Sequence, residues 1–267
     1  MSSTTDRERD FHNAWASSTP IEQRRVVQAF ESSTAPENRF ILQRMGELSG
    51  KKVLDVGCGL GESSVYFALK KAEVSALDLS PKMVETTVQL GKEFGVTING
   101  IVGSAERLDV ESDFFDFVYL GNIIHHVENR ENLFREIRRV LKPGGTFFSW
   151  DPLTYNPLIN IYRAIATETR TPDERPLSRR DLSLVKRHFS RVSFRTFWLT
   201  SLTLFLKYAC IDRVDPNKER YWKKILDEPE DRLSWFRLLQ RLDRYFLGIP
   251  GLRWLAWNIV ICGQKTA

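Results

Sequence analysis

"VLDVGCGLGESS", residues 53–64, is the stretch from which the rest of this chain can be read. An apolar, strand-like run meets an acid and then three glycines at alternate positions, Gly57, Gly59 and Gly61. Glycine loses more backbone freedom on folding than any other residue, so this density marks a turn where a ligand approaches the main chain. The helix-like run that follows offers the free N–H groups of its first turn to the same ligand. Roughly 20 residues on, "VSALDLS" ends a second strand at Asp78, where an acid can accept both ribose hydroxyls of a nucleoside.

Outward from this pair, strand and helix patterns alternate. "KKVLDVG", "EVSALDL", "FDFVYLGN" and "GTFFSWD" read as strands, and "VTINGIVGSA" as a short strand and loop. "ESSVYFALKK", "SPKMVETTVQLGKEFG" and "ENRENLFREIRRVLKPGG" read as helices, the last ended by Pro143 and its glycines. Ser80 is an N-cap with Pro81 at the first helical position. Residues 1–47 read as short helices, with Pro20 and Pro36 at starts. Near the end, "RVSFRTFWL" and "RWLAWNIVICGQK" read as strands, separated by about 50 residues of mainly helical pattern. This order predicts an α/β fold, a doubly wound, mostly parallel sheet whose ligand sits at the C-terminal edge of the strands.

The composition is that of an ordinary globular protein: 267 residues, 42% hydrophobic and 27% charged. Three dispersed cysteines, Cys58, Cys210 and Cys262, predict neither a disulfide framework nor a zinc site, and suit a reducing compartment. No metal site is expected. The polar start "MSSTTDRERDF" predicts no signal peptide, and no run reaches the ~18 apolar residues of a membrane span. The expected location is cytoplasmic. Charge divides the chain: residues 1–150 carry 18 Lys+Arg against 21 Asp+Glu, residues 151–267 carry 21 against 13.

The loop also narrows the ligand. Its spacing, Gly57-x-Gly59-x-Gly61, departs from the GxGxxG of dinucleotide folds, and Asp55 would face a pyrophosphate with like charge. A ligand with a positive centre and an ammonium group suits it better. At these residues the chain resembles the Rossmann-like, class I S-adenosylmethionine (SAM)-dependent methyltransferases, in particular those acting on small molecules such as quinones. "VLDVGCGLG" is similar to their first motif, "GSAERLD" to the adenine segment, "FDFVYLGNIIHHV" to the fourth strand, and "LKPGG" to the turn before the fifth. The likeness covers roughly residues 50–151. It implies an antiparallel last strand, an N-terminal helical lid over 1–47, a SAM-binding core over 48–151, and an acceptor-side segment over 152–267 with a helical cap insertion at about 200–250. It also implies SAM as cofactor and S-adenosylhomocysteine as product. Asp55, Gly57 and Gly59 would line the methionine end, with Gly61 also in the cofactor-binding loop, Asp78 would take the ribose, Leu79, Ser104 and Ala105 would border the adenine, and Asn122 would lie near the sulfonium.

Two adjacent histidines, His125 and His126, follow the fourth strand, where a neutral imidazole could take a proton from the acceptor. Packing of the turn is the competing reading. His12 in "FHNAWA" is a further candidate for the acceptor side, and His188 reads as solvated. After the fifth strand, Asp151, Tyr155, Asn156, Tyr162 and Arg163 are the polar groups expected at the acceptor pocket. In "DRLSWFRLLQRLDRYFLGIPGLRWLAW", residues 231–257, Trp235, Leu238, Leu239, Leu242, Tyr245 and Phe246 follow helical spacing, while Arg232, Arg237, Arg241 and Arg244 fall largely elsewhere. A basic amphipathic helix of this kind lies on an anionic membrane surface or caps a core. Together these features predict a methyltransferase acting on oxygen or carbon of a small hydrophobic molecule of lipid, isoprenoid or polyketide type. A polar sugar or glycan precursor as acceptor, and a SAM binder without turnover, remain as alternatives. Nucleic acid is disfavoured, because the position of a [DNS]-P-P-[YFW] motif reads "GNIIHH". The sequence is silent on oligomeric state.

Overall fold

The computed structural model describes residues 4–18, 25–171, 173–227 and 234–266; Pro20 and Arg232 lie outside them. Seven strands form one sheet: β1 (Lys52–Val56), β2 (Glu73–Asp78), β3 (Ile98–Val102), β4 (Phe115–Gly121), β5 (Leu141–Pro152), β6 (Arg191–Phe197) and β7 (Asn258–Gln264). Their order is β3-β2-β1-β4-β5-β7-β6. β1 pairs in parallel with β2 and β4, while β7 runs antiparallel to both β5 and β6. The strand order reverses between β1 and β4, which opens a crevice at their C-terminal ends.

The helices are α1 (Thr4–Ser18), α2 (Gln28–Glu31), α3 (Pro36–Met45), α4 (Glu62–Leu69), α5 (Pro81–Glu93), α6 (Arg130–Val140), α7 (Pro157–Ile165), α8 (Arg179–His188), α9 (Thr203–Leu206), α10 (Tyr221–Lys224) and α11 (Ser234–Phe246). The caps follow the sequence. Ser80 accepts from the Met83 amide at the start of α5, and Pro36 opens α3. Two boundaries differ from expectation: α6 stops at Val140, because Leu141 already pairs with Phe115 as the first residue of β5, and "RWLAWNIVICGQK" opens with a 3-10 turn over Leu252–Leu255, so the last strand starts only at Asn258.

Central strands covered on both faces must be apolar throughout. In β7, Ile259 and Ile261 join the core under α6 and α8, while Val260 and Cys262 join the core under α2, α3 and α4. β1 divides the same way, with Leu54 and Val56 against Val53. A third, aromatic cluster gathers Trp198, Phe205, Tyr208, Tyr221 and Phe236, with Tyr162 and Trp257 against it. It joins α9, α10 and α11 to the sheet edge and forms one side of the central cleft. All three cysteines are free, Cys58 and Cys262 buried and Cys210 exposed. No helix among the described residues is long and apolar enough to cross a membrane.

Candidate active site

A cleft of about 890 Å³ opens at the C-terminal ends of β1, β2, β4 and β5. Its floor is the glycine loop. Gly59 has φ +53°, and a side chain there would enter open space on the cleft wall. That is the cradle a ligand would fill. Gly61 has φ +94°, but a Cβ on it would come within 2.9 Å of the Thr87 backbone. Gly61 is therefore off the cleft wall, and its task is the close contact between the loop and α5.

Asp78 holds this loop in shape. One carboxylate oxygen accepts the Gly59 amide at 3.0 Å and the other the Ser80 amide at 2.9 Å. Each oxygen keeps a second lone pair, so a ribose diol can donate to the same group. Burial pushes its carboxyl above the usual range, against the pull of those amides. Leu79, Ser104, Ala105 and Asn122 line the cleft beside it. Asn122 adopts φ +59°, a conformation asparagine tolerates better than most residues, and its amide donates to the Trp150 carbonyl at 2.7 Å. Gly57 is also on the wall.

Asp55 lies elsewhere than expected. It is fully buried behind the loop, accepting from the Ser63 hydroxyl at 2.6 Å and the Ser64 hydroxyl at 2.5 Å, and burial raises its pKa to about 6. It does not reach the cleft surface, and so shapes the turn from beneath.

The imidazole cluster is built from three segments. The His125 ring nitrogen Nδ1 lies 2.8 Å from Asp151 Oδ1, and that same oxygen accepts the His125 backbone amide at 3.1 Å. An oxygen already accepting one N–H is best served by a second, so the ring proton sits on Nδ1 and Nε2 carries a lone pair. Burial, the adjacent His126 and the charges of Arg163, Arg170 and Arg130 push His125 well below the usual imidazole range, keeping it neutral. Asp151 is thus a partner beneath His125, not a wall residue.

His126 faces α1. Its Nδ1 is 3.1 Å from Glu8 Oε2, which is also 3.4 Å from His12 Nε2. Glu8 further accepts from the Thr171 hydroxyl. Burial alone would raise the Glu8 carboxyl, but His12, His126 and Thr171 hold it well below the usual range. Glu8, His12 and His126 bring one oxygen and two nitrogens within 4.8 Å of one another, as do His125, His126 and Glu174, close enough to hold a metal ion. α1 is also tied down by the Ser80 hydroxyl donating to Asn13 at 2.6 Å and by an Arg7–Asp173 ion pair at 2.7 Å.

The far wall is aromatic and basic. Arg220 stacks over Trp15 at 3.9 Å, and burial lowers its pKa. Arg163 lies 3.3 Å from Glu174, which also accepts from Arg170, and burial takes Arg163 down to about 10. Tyr162 is on this wall. Tyr155 and Asn156 are not. The Asn156 side chain caps α7 through the Ile159 amide at 3.0 Å and donates to the Leu255 carbonyl at 2.6 Å. The Tyr155 hydroxyl accepts the Arg179 amide at 3.0 Å. His188 is not free in solvent but pairs with Glu131 at 2.7 Å. Sequence reading missed Glu8, Glu174, Arg170, Arg220, Trp222 and Trp257. Only the first had a signal, an i,i+4 pairing with His12 on one helix face.

Fold and cleft together define a Rossmann-like nucleoside-binding domain. Residues 54–149 match the family model described as a methyltransferase domain. A sterol 24-C-methyltransferase of Yarrowia lipolytica is 32% identical over 147 residues, 53% of this chain and 39% of the relative. A ubiquinone biosynthesis O-methyltransferase of Xanthomonas oryzae is 39% identical over 103 residues, 38% of this chain and 43% of the relative. The match thus spans about two fifths of these relatives' length. Among solved structures, a phosphoethanolamine N-methyltransferase 2 of Haemonchus contortus with bound SAM shares the fold at TM-score 0.63 and 19% identity, covering 100% of this chain and 61% of that one. Residues 54–149 thus match a methyltransferase domain on a Rossmann-like fold, and SAM is the cofactor this match supports.

Proposed function

We propose that the protein transfers a methyl group to an oxygen or acidic carbon of a lipid-like small molecule that also bears an anionic group. The observation that carries this reading is the buried His125–Asp151 pair, with His125 on the cleft wall and Asp151 beneath it. SAM supplies an activated methyl group when bound. The residues of this chain then have three tasks. Asp78 and the Gly59 loop hold the nucleoside, with Leu79 and Ala105 against the base. His125, neutral and fixed in one tautomer, takes the acceptor proton at Nε2 as the new bond forms. Asp151, whose carboxyl burial pushes well above the usual carboxylate range, holds the ring in that orientation through Oδ1. Arg163, Arg170 and Arg220 outnumber Glu174, which favours an acceptor with a negative group. Phe11, Trp15, Trp222 and Trp257 suit an apolar body. The Glu8–His126 and Asn13–Ser80 contacts let α1 act as a lid, excluding water from the reacting atoms.

Incubation with methyl-labelled SAM and an extract of the source cells, followed by solvent partition, tests this. Label extracted into acidified organic solvent is the expected result. Label confined to water favours a sugar phosphate or similar polar acceptor, and absence of label in either phase overturns methyl transfer to the extract's small molecules.

A further inference from the structure

A second cleft, about 580 Å³, lies apart from the first, between α3, β6 and α11. Six of its lining residues are arginines: Arg39, Arg195, Arg237, Arg241, Arg244 and Arg253. Its one lining acid, Asp243, is buried and occupied, accepting the Thr200 amide and hydroxyl at 2.5 and 2.7 Å and the Leu199 amide at 3.2 Å. Among the described residues, no carboxylate lies within ion-pair distance of Arg39, Arg195, Arg241 or Arg244. Arg195 instead stacks on Phe40 and Phe197, at 5.2 and 5.4 Å. Holding six guanidinium groups around a single lining carboxylate leaves a net positive cleft, and a bound anion relieves that repulsion.

α11 presents three stripes. Phe236 and Asp243 point inward. Arg237, Arg241 and Arg244, at i, i+4 and i+7, line the cleft. Trp235, Leu238, Leu242 and Tyr245, at i, i+3, i+7 and i+10, form a third, outward stripe, with Trp235 38%, Leu242 40%, Leu238 56% and Tyr245 73% exposed. Ile249 continues it, 43% exposed. An apolar ridge beside a cationic groove is not met by a dissolved anion, which would leave the ridge in water. Nucleic acid would do the same. A surface that offers phosphates at one depth and hydrocarbon just below it meets both stripes at once.

We propose that the α11 face is a docking site for an anionic phospholipid surface, with headgroup phosphates held by the arginine cleft and the Trp235–Tyr245 ridge inserted at the acyl boundary. The inference stands independently of the transfer chemistry. Sedimentation of the full chain with vesicles tests it, using phosphatidylcholine alone and an equimolar mixture with phosphatidylglycerol. Pelleting only with the anionic vesicles, weakening as salt rises, is the expected result. Arg241→Ala and Arg244→Ala should each weaken attachment about fivefold, from roughly 1 kcal/mol per basic residue at such a surface. Leu238→Ser with Tyr245→Ser should weaken it by about tenfold or more, since the ridge loses its apolar area. SAM affinity, unchanged in all of these, shows that the variants fold. Equal pelleting on both vesicle types, pelleting on neither, or full attachment by both arginine variants would each overturn the proposal. So would calorimetric binding of inorganic phosphate or an oligonucleotide by a protein that no vesicle retains.

Discussion

In the central cleft, each acid is met by partners within the protein: Glu8 by the His126 and His12 rings, Glu174 by Arg163 and Arg170, Asp78 by two backbone amides. In the outer cleft, Arg39, Arg195, Arg241 and Arg244 face one another with Asp243 already occupied by Thr200 and Ser201. The contrast separates two ways of using charge. Groups paired within the protein are held in one geometry before any ligand arrives, which is what a reacting site needs. Groups left without partners are satisfied only by what binds, which suits attachment and makes it salt-dependent. Removal of one residue should therefore have large, specific effects in the first cleft and graded ones in the second.

The largest expected effect falls on His125. His125→Ala should slow methyl transfer by about 10²- to 10⁴-fold, the usual contribution of a positioned general base, while SAM affinity by calorimetry stays within about twofold. Asp151→Asn should lie between this and wild type, because the amide can still accept at Oδ1 but can also turn an N–H toward the ring and fix the wrong tautomer. If His125→Ala keeps its rate, the paired geometry is a packing device and the contrast with the outer cleft loses its catalytic meaning. Next comes Asp78→Asn. Losing charge-assisted hydrogen bonds should weaken SAM binding by about 100-fold, with the thermal midpoint showing whether the loop still folds. Unchanged affinity would remove the nucleoside from this edge of the sheet.

Glu37 sharpens the comparison through stability. It is buried in α3, beside the outer cleft, and accepts from the Asn258 side-chain amide at 2.6 Å, with no arginine among the described residues in ion-pair distance. Burial raises its pKa to about 7 from an ordinary 4.5. The folded state thus holds a proton that the unfolded chain releases above pH 4.5. Its contribution favours folding most at low pH, and is lost as pH rises from about 4.5 to about 7, by up to about 3 kcal/mol. Glu37→Gln should keep the Asn258 contact, flatten this part of the profile, and raise the urea midpoint at pH 8. An unchanged pH profile would mean that a cleft arginine neutralises Glu37 in solution, and that the cluster is less starved of counter-charge than its geometry implies.

How much of this was legible in the sequence follows the same division. The cofactor half writes its signals locally. Gly59 and Gly61 need positive φ, Ser80 and Pro81 start a helix, and Asp78 ends a strand, each within a few residues. The acceptor half is assembled from afar. Arg220 reaches Trp15 and Glu8 reaches His126 across more than half of the chain or close to it, and neither pairing leaves a periodic trace. The stripe on α11 was visible, but spacing alone does not distinguish a buried face from an exposed one, and only the packing of Phe236 and Asp243 decided which side turned inward. Asp55 stands in β1 rather than inside the loop, and Ser63 and Ser64 at the start of α4 hold its carboxylate behind the turn, a tertiary contact that glycine spacing does not encode.

Tyr155 offers the smallest effect and a clean control. It directly follows β5, the position from which such a sheet usually addresses its ligand, yet its ring packs edge-on against Trp254 at 6.2 Å and its hydroxyl caps the Arg179 amide. Tyr155→Phe removes one hydrogen bond at a half-exposed site, so it should cost about 1 kcal/mol or less in urea unfolding. Transfer rate, SAM affinity and vesicle attachment should all match wild type, because the residue lines neither cleft. A raised KM for the acceptor with unchanged stability would show the opposite: that the 151–177 segment rearranges on binding and carries Tyr155 into the cleft. Its present contacts would then describe the open state alone, and the far wall would have to be redrawn around it.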